Sequence, residues 1–164
     1  DQEEAMSISD QIVVMEAGVI QQIGKPQDVY DDPKNLFVAK FLGTPPINVF
    51  EGKVVGEKLM IGEEAVLDVP GVSDQEVYAA IRPEGFVLNE KGRFSCRLSR
   101  VEVMGRDVSV VSTNAACQNP VIRSIINADN KVDITATSVR YNIKPHKIFL
   151  FNKETEERIY FEVK

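Results

Sequence analysis

The chain of 164 residues has a single histidine, His146, and two cysteines, Cys96 and Cys117. A structural zinc site wants four nitrogen or sulfur ligands at recognisable spacing, so this supply excludes the usual zinc modules. The cysteines lack CxxC spacing and read as reduced thiols of a cytosolic protein. No apolar run approaches the roughly 20 residues that span a bilayer. The opening Asp1, Glu3 and Glu4 carry the wrong charge for a signal peptide, so membrane association is expected only through a protein partner. Cations do not gather either. The formal net charge is -6, and the basic spots at Arg93, Arg97 and Arg100 are interrupted by serines and Glu102. A nucleic-acid binder shows a basic stripe that displaces counterions from phosphates, and no nucleic-acid partner is expected here.

Catalytic motifs are missing as well. The pairs Gly24-Lys25-Pro26 and Gly52-Lys53-Val54 are not GxxxxGK[ST], and Pro26 removes a backbone donor where a phosphate loop needs one. There is no GxSxG and no HExxH. His146 follows a proline in "NIKPHKIFLF" with no nucleophile motif around it. Glu63-Glu64 and Glu156-Glu157 are adjacent residues that read as turns; on a strand such neighbours point to opposite faces and do not share an acid/base site. No catalytic, cofactor-binding or metal-ligating residue is assigned.

What is present divides into two characters. Asp1 and Glu4 suit the start of a helix, with Ala5, Met6 and Ile8 on one face. Ile12-Val13-Val14-Met15 is a continuous apolar run, the pattern of a strand buried on both faces. Glu16-Ala17-Gly18 is a turn and "VIQQIG" a returning strand. Pro26 opens a short helix to Tyr30, and Pro33 opens a second that Gly43 stops. Thr44-Pro45-Pro46 reads as a linker. After it the chain is mainly β, with "INVFEGKVVG", "KLMIG", "EAVLDV", "EVYAAIRPEG", "RFSCRLSRVEVMG", "DVSVVST", "KVDITATSV", "KIFLFN" and "RIYFEV" extended, as in a small barrel or sandwich. Phe94, Cys96 and Leu98 share one face, whereas Val101 and Val103 have the opposite phase. A bulge near Ser99-Arg100 would reconcile them.

The stretch "DQEEAMSISDQIVVMEAGVIQQIGKPQDVYDDPKNLFVAKFLG" closely resembles the region that follows the switch histidine of ABC-transporter ATP-binding subunits, in the branch that energises uptake of maltose, multiple sugars and glycerol phosphate. Downstream, "NVFEG", "AIRPE" and "HKIFLFNKET" resemble that branch's C-terminal regulatory region, an OB-like β-barrel called TOBE. The resemblance implies an α/β remnant of the ATPase domain over residues 1–46 and the barrel over 47–164. It implies a parent subunit that hydrolyses Mg-ATP, with no catalytic residue and no cofactor in this stretch. It also implies a second copy of the subunit, transmembrane permease subunits reached through the ATPase lobe, and in some members a regulatory protein as partners. The place implied is the cytoplasmic, inner face of the plasma membrane.

Within the barrel, Arg82 is expected to pair bidentately with a carboxylate, Pro83 to fix a strand end, and Glu84 to accept backbone N–H groups. Arg82, Glu84 and His146 are the candidates for an interface or effector contact. Phe149, Phe151, Tyr160 and Phe161 either fill the barrel or serve a contact. In "KETEER" the glycine usual to the family near Glu156-Glu157 is missing, which requires a turn that tolerates side chains. The alternative function is a small-ligand sensor for an oxyanion or a sugar, with Ser109, Ser112, Thr113 and Asn114 as possible donors.

Overall fold

The computed structural model describes residues 10–163. The helix expected around Asp1 and Glu4 lies outside the described residues. The apolar run forms β1 (Ile12–Glu16), which pairs antiparallel with β2 (Val19–Gly24). Ala17 and Gly18 both take positive φ, 48° and 81°, as a two-residue hairpin of matching twist requires. Helix α1 (Pro26–Asp31) has proline in its first turn. Helix α2 (Leu36–Phe41) begins three residues after Pro33, because the Asn35 side chain caps it by accepting the Val38 N–H at 2.9 Å. Gly43, at φ 106°, ends the turn beyond it.

The remaining strands are β3 (Asn48–Val55), β4 (Lys58–Ile61), β5 (Glu64–Asp68), β6 (Gln75–Ile81), β7 (Phe86–Leu88), β8 (Phe94–Met104), β9 (Asp107–Thr113), β10 (Ile122–Asn127), β11 (Ser138–Ile143), β12 (Ile148–Asn152) and β13 (Arg158–Ile159). They make a six-stranded sheet ordered β13-β12-β6-β3-β4-β5 and a five-stranded sheet ordered β10-β9-β8-β11-β7, antiparallel throughout. The second sheet curls until its outer strands β10 and β7 approach each other, giving a nearly closed, OB-like barrel. The expected bulge is there: the β8–β9 register shifts between Leu98 and Arg100. Gly92 lets the chain cross the barrel wall, since a Cβ on it would lie 2.4 Å from the Tyr141 carbonyl carbon.

Three apolar layers follow from this topology. The main core lies between the two sheets, with Phe50, Leu59, Ile81, Phe94 and Tyr141 at its centre; Phe50 and Phe94 meet edge to face at 5.2 Å. A second layer packs Leu36 and Ala39 of α2 onto Val49, Ala80, Phe149 and Phe151. Phe149 and Phe151 therefore fill the space under a helix as well as strengthening the sheet. In a third layer, Val14 of the hairpin meets Val29, Val38 and Leu42.

Four sequence expectations differ from the fold. The run Ile12–Met15 is not buried on both faces: it pairs with β2 alone, and Val13 and Met15 face out. "KVDITATSV" alternates like a strand, but 131–137 is a loop. The Asp133 carboxylate accepts the Thr135 N–H at 3.0 Å and its hydroxyl at 2.6 Å, a local turn that outcompetes pairing. In "RIYFEV" only Arg158 and Ile159 pair as strand. "VIRSIIN", not read as a strand, supplies β10.

Candidate functional site

The backbone of "AIRPEG" ends β6 and makes a 3-10 turn over Pro83–Gly85. That turn aims Arg82 out of the sheet and under the two helices. Arg82 is 1% exposed, the largest fully buried side chain among the described residues. Its partners are backbone carbonyls, not the carboxylate expected from sequence. Nη1 donates to Ala39 O at 3.0 Å and Leu42 O at 2.8 Å, and Nη2 to Tyr30 O at 2.8 Å. These carbonyls belong to the last turns of α2 and α1, where a helix leaves its acceptors unpaired and its dipole favours a cation. The guanidinium carbon lies 3.9 Å from the centre of the Tyr30 ring. Burial lowers the arginine's pKa, opposed by Tyr30, Glu84 and Asp31.

Glu84 accepts the Tyr30 hydroxyl at 2.7 Å and faces Lys147 Nζ at 3.4 Å. Burial alone would raise its pKa, but the Tyr30 hydrogen bond, its own backbone N–H and Lys147 outweigh that and hold it below the ordinary value. The same contact, with burial first, pushes the Tyr30 phenol well up. Lys147 also lies 3.8 Å from Asp31. Arg82 and Glu84 thus act together at one junction between helix and barrel. His146 sits exposed in the neighbouring turn and is not brought into the cluster.

A second arginine, not singled out by sequence, holds the other end of the helix pair. Arg158 Nη1 donates to Asp32 Oδ1 at 2.9 Å and Pro33 O at 2.8 Å, and Tyr160 Oη lies 3.1 Å from the same carboxylate oxygen. Its guanidinium stacks on Phe149 at 4.6 Å and Tyr160 at 4.5 Å. Backbone bonds reinforce the strap, Leu36 N–H to Glu156 O and Arg158 N–H to Lys34 O, each 3.0 Å. The turn leading into it places Glu156 at φ 63°, a conformation that suits glycine, so it is not the side-chain-tolerant turn expected. The signal for Arg158 is its place just before Tyr160 and Phe161, which sequence alone does not connect to Asp32.

The hairpin carries an exposed apolar face. Cross-strand pairing puts Val13 opposite Ile23 and Met15 opposite Ile20. These four side chains are all about half exposed, whereas Val14 on the other face is 1% exposed.

The possible oxyanion donors are scattered. Ser109 and Ser112 are buried in the wall, and their hydroxyls have no partner among the described residues. The Asn114 side chain is used by Ser95 O and Ala116 N–H. Thr113 and Asn114 both line an open hollow of 570 Å³, shared with Ser95, Arg97, Thr137 and Ser138. Both cysteines are free; burial pushes the Cys96 thiol up to about 12. Among the described residues no group of three or more His, Cys, Asp or Glu is placed to hold a metal. No described helix is long and apolar enough to cross a membrane.

No family model matches the chain. Individual proteins do. It is 32% identical over 167 residues to the sn-glycerol-3-phosphate import ATP-binding protein of Chromobacterium violaceum, covering 97% of this chain and 44% of that protein. It is 33% identical over 176 residues to the oligosaccharides import ATP-binding protein of Bacillus subtilis, covering 97% and 47%. Over 111 residues, 64% of the chain, it is 44% identical to the spermidine/putrescine import ATP-binding protein of Ureaplasma parvum, covering 21% of that protein. The chain spans less than half the length of the curated relatives it matches.

Proposed function

The chain is homologous, over nearly its whole length, to ABC-transporter ATP-binding subunits of the sugar and glycerol-phosphate importers, and on that premise we propose that it is the C-terminal, regulatory portion of such a subunit. Residues 1–46 are the end of the ATPase domain and 47–164 the TOBE barrel. The full subunit hydrolyses Mg-ATP through residues upstream of this chain, works as a pair of copies, and drives transmembrane permease subunits from the cytoplasmic face. The observation that carries this is the half-exposed face of Val13, Met15, Ile20 and Ile23. Side chains of this size gain about 1.5–3 kcal/mol each when fully buried, so a folded hairpin that displays four of them together is built to be covered. The rest of an ATPase sheet is the natural cover.

In this role Arg82 and Glu84 transmit. They tie the last helices of the ATPase domain to the barrel, so a shift of the lobe moves the barrel as a body. Joining the chain at Asp1 to the nucleotide-binding portion of the Chromobacterium relative tests this. The joined protein should hydrolyse ATP, and Arg82→Ala should uncouple hydrolysis from transport. A joined protein that folds but hydrolyses no ATP overturns the proposal.

The hollow beside Arg97 supports a second reading, a small-anion sensor. Arg97, Thr113 and Ser138 form one cross-strand row on β8, β9 and β11. Calorimetry with molybdate, sulfate and sugars separates it from a purely mechanical role.

A further inference from the structure

The barrel wall has an open edge on β8. β11 pairs with β8 only as far as Ser138 opposite Arg97, and Leu98 N–H to Thr137 O, 3.0 Å, is the last bond described on that side. Beyond it β8 runs on to Met104, paired with β9 alone. Met104 and Asp107 flank the two-residue turn, so the hydrogen-bonded pairs of this hairpin fall on Met104, Glu102 and Arg100. The N–H and C=O groups of Val101 and Val103 therefore point away from β9, toward the open side. No proline interrupts this edge. The row Ile126–Val108–Val103 carries the barrel's apolar interior outward to its lip: Ile126 is 4% exposed and Val103 80%. Met104, 53% exposed, adds apolar surface on the other face.

We propose that this edge, from Ser99 to Met104, pairs antiparallel with the same edge of a second copy about a two-fold axis through Val101. The charge pattern selects both partner and register. With Val101 opposite its own copy, Arg100 of each chain stands opposite Glu102 of the other, on one face of the joined sheet. Within each chain Glu102 already lies 2.7 Å from Arg100 and 3.3 Å from Arg123, so the junction extends that network across the axis. A register slipped to place Glu102 opposite Glu102 sets like charges at the centre and is disfavoured. The edge is short, which makes the contact a weak one that gains strength when other parts of two subunits hold it together. The inference rests on the reading of the barrel as a contact between two ATP-binding subunits and names the surface.

Sedimentation equilibrium of the chain over a wide concentration range tests it. The expected result is a reversible monomer–dimer equilibrium. Arg100→Glu and Glu102→Arg should each weaken it about tenfold or more, by placing like charges opposite one another. An equimolar mixture of the two variants should recover association, since each supplies the charge the other lacks. Recovery also shows that both variants are folded. Val103→Pro removes only an outward N–H and should weaken pairing without unfolding the hairpin. A chain that stays monomeric throughout, a dimer indifferent to both charge variants, or variants that fail to recombine overturns the inference. If association persists in the charge variants but is lost in Ile20→Lys, the copies meet through the β1–β2 hairpin instead, and the subunit reading stands without this surface.

Discussion

The strands from Asn48 onward and the hairpin at Ile12–Gly24 are both apolar, yet they treat water differently. The strands turn their large side chains toward one another, and Phe50, Phe94, Leu59 and Ile81 are 0% exposed. The hairpin has two apolar faces and a use for only one. Val14 is buried against Val29, Val38 and Leu42, while Val13 and Met15 face out. The two regions are joined by polar chemistry as much as by packing, through Arg82 beneath the helix ends and Arg158 across Asp32. The difference teaches that the barrel can close its own core, whereas the hairpin and helices are an attachment with one surface left for something else.

The sharpest break in this comparison comes from the core. Phe94→Ala should cost about 3–5 kcal/mol in chemical denaturation, because it empties the centre of the barrel, and both regions should unfold together. Arg82→Ala comes next, at about 3 kcal/mol. It strands the carbonyls of Tyr30, Ala39 and Leu42 in a buried place. Here hydrogen exchange should rise across residues 12–42 while β6 and β8 stay protected. Arg82→Lys should recover only part of the loss, since one ammonium cannot reproduce the planar fork.

Much of this was legible in the sequence. Val101 and Val103 fell out of phase with Phe94, Cys96 and Leu98, and the bulge at Leu98–Arg100 is the result. Pro26, Gly18 and Gly43 stand where their backbone constraints place them. The site was less legible. "RPE" shows a cation two residues from an anion, but Arg82 bonds to main-chain oxygens 40 and more residues away, which every residue type possesses and no pattern marks. Alternation at Val132, Ile134 and Ala136 looked like strand because period two cannot see an Asp133 side chain turning back on its own backbone.

A smaller effect distinguishes the junction by pH. Glu84 has a folded pKa below its ordinary 4.5, so its contribution is complete above that value and is lost as pH falls through the depressed one. Wild type should therefore lose more helix-to-barrel stability than Glu84→Gln between neutral pH and the acid side of 4.5, measured by denaturation at each pH. Glu156→Gly should stabilise the C-terminal strap by about 0.5–1 kcal/mol, by relieving its left-handed backbone. Smallest of all, Ile20→Thr should leave the stability of this chain within about 0.5 kcal/mol, because its side chain already meets water.

The central claim is that the outer hairpin face is covered in the complete subunit, and oxidative footprinting of Met15 tests it most directly. Met15 is 49% exposed, and Met104, 53% exposed at the β8–β9 turn, serves as reference in dilute solution. Met15 should oxidise about as readily as Met104 in this chain and become strongly protected once the nucleotide-binding portion of the Chromobacterium relative is joined at Asp1. Equal oxidation of Met15 in both proteins would contradict the claim.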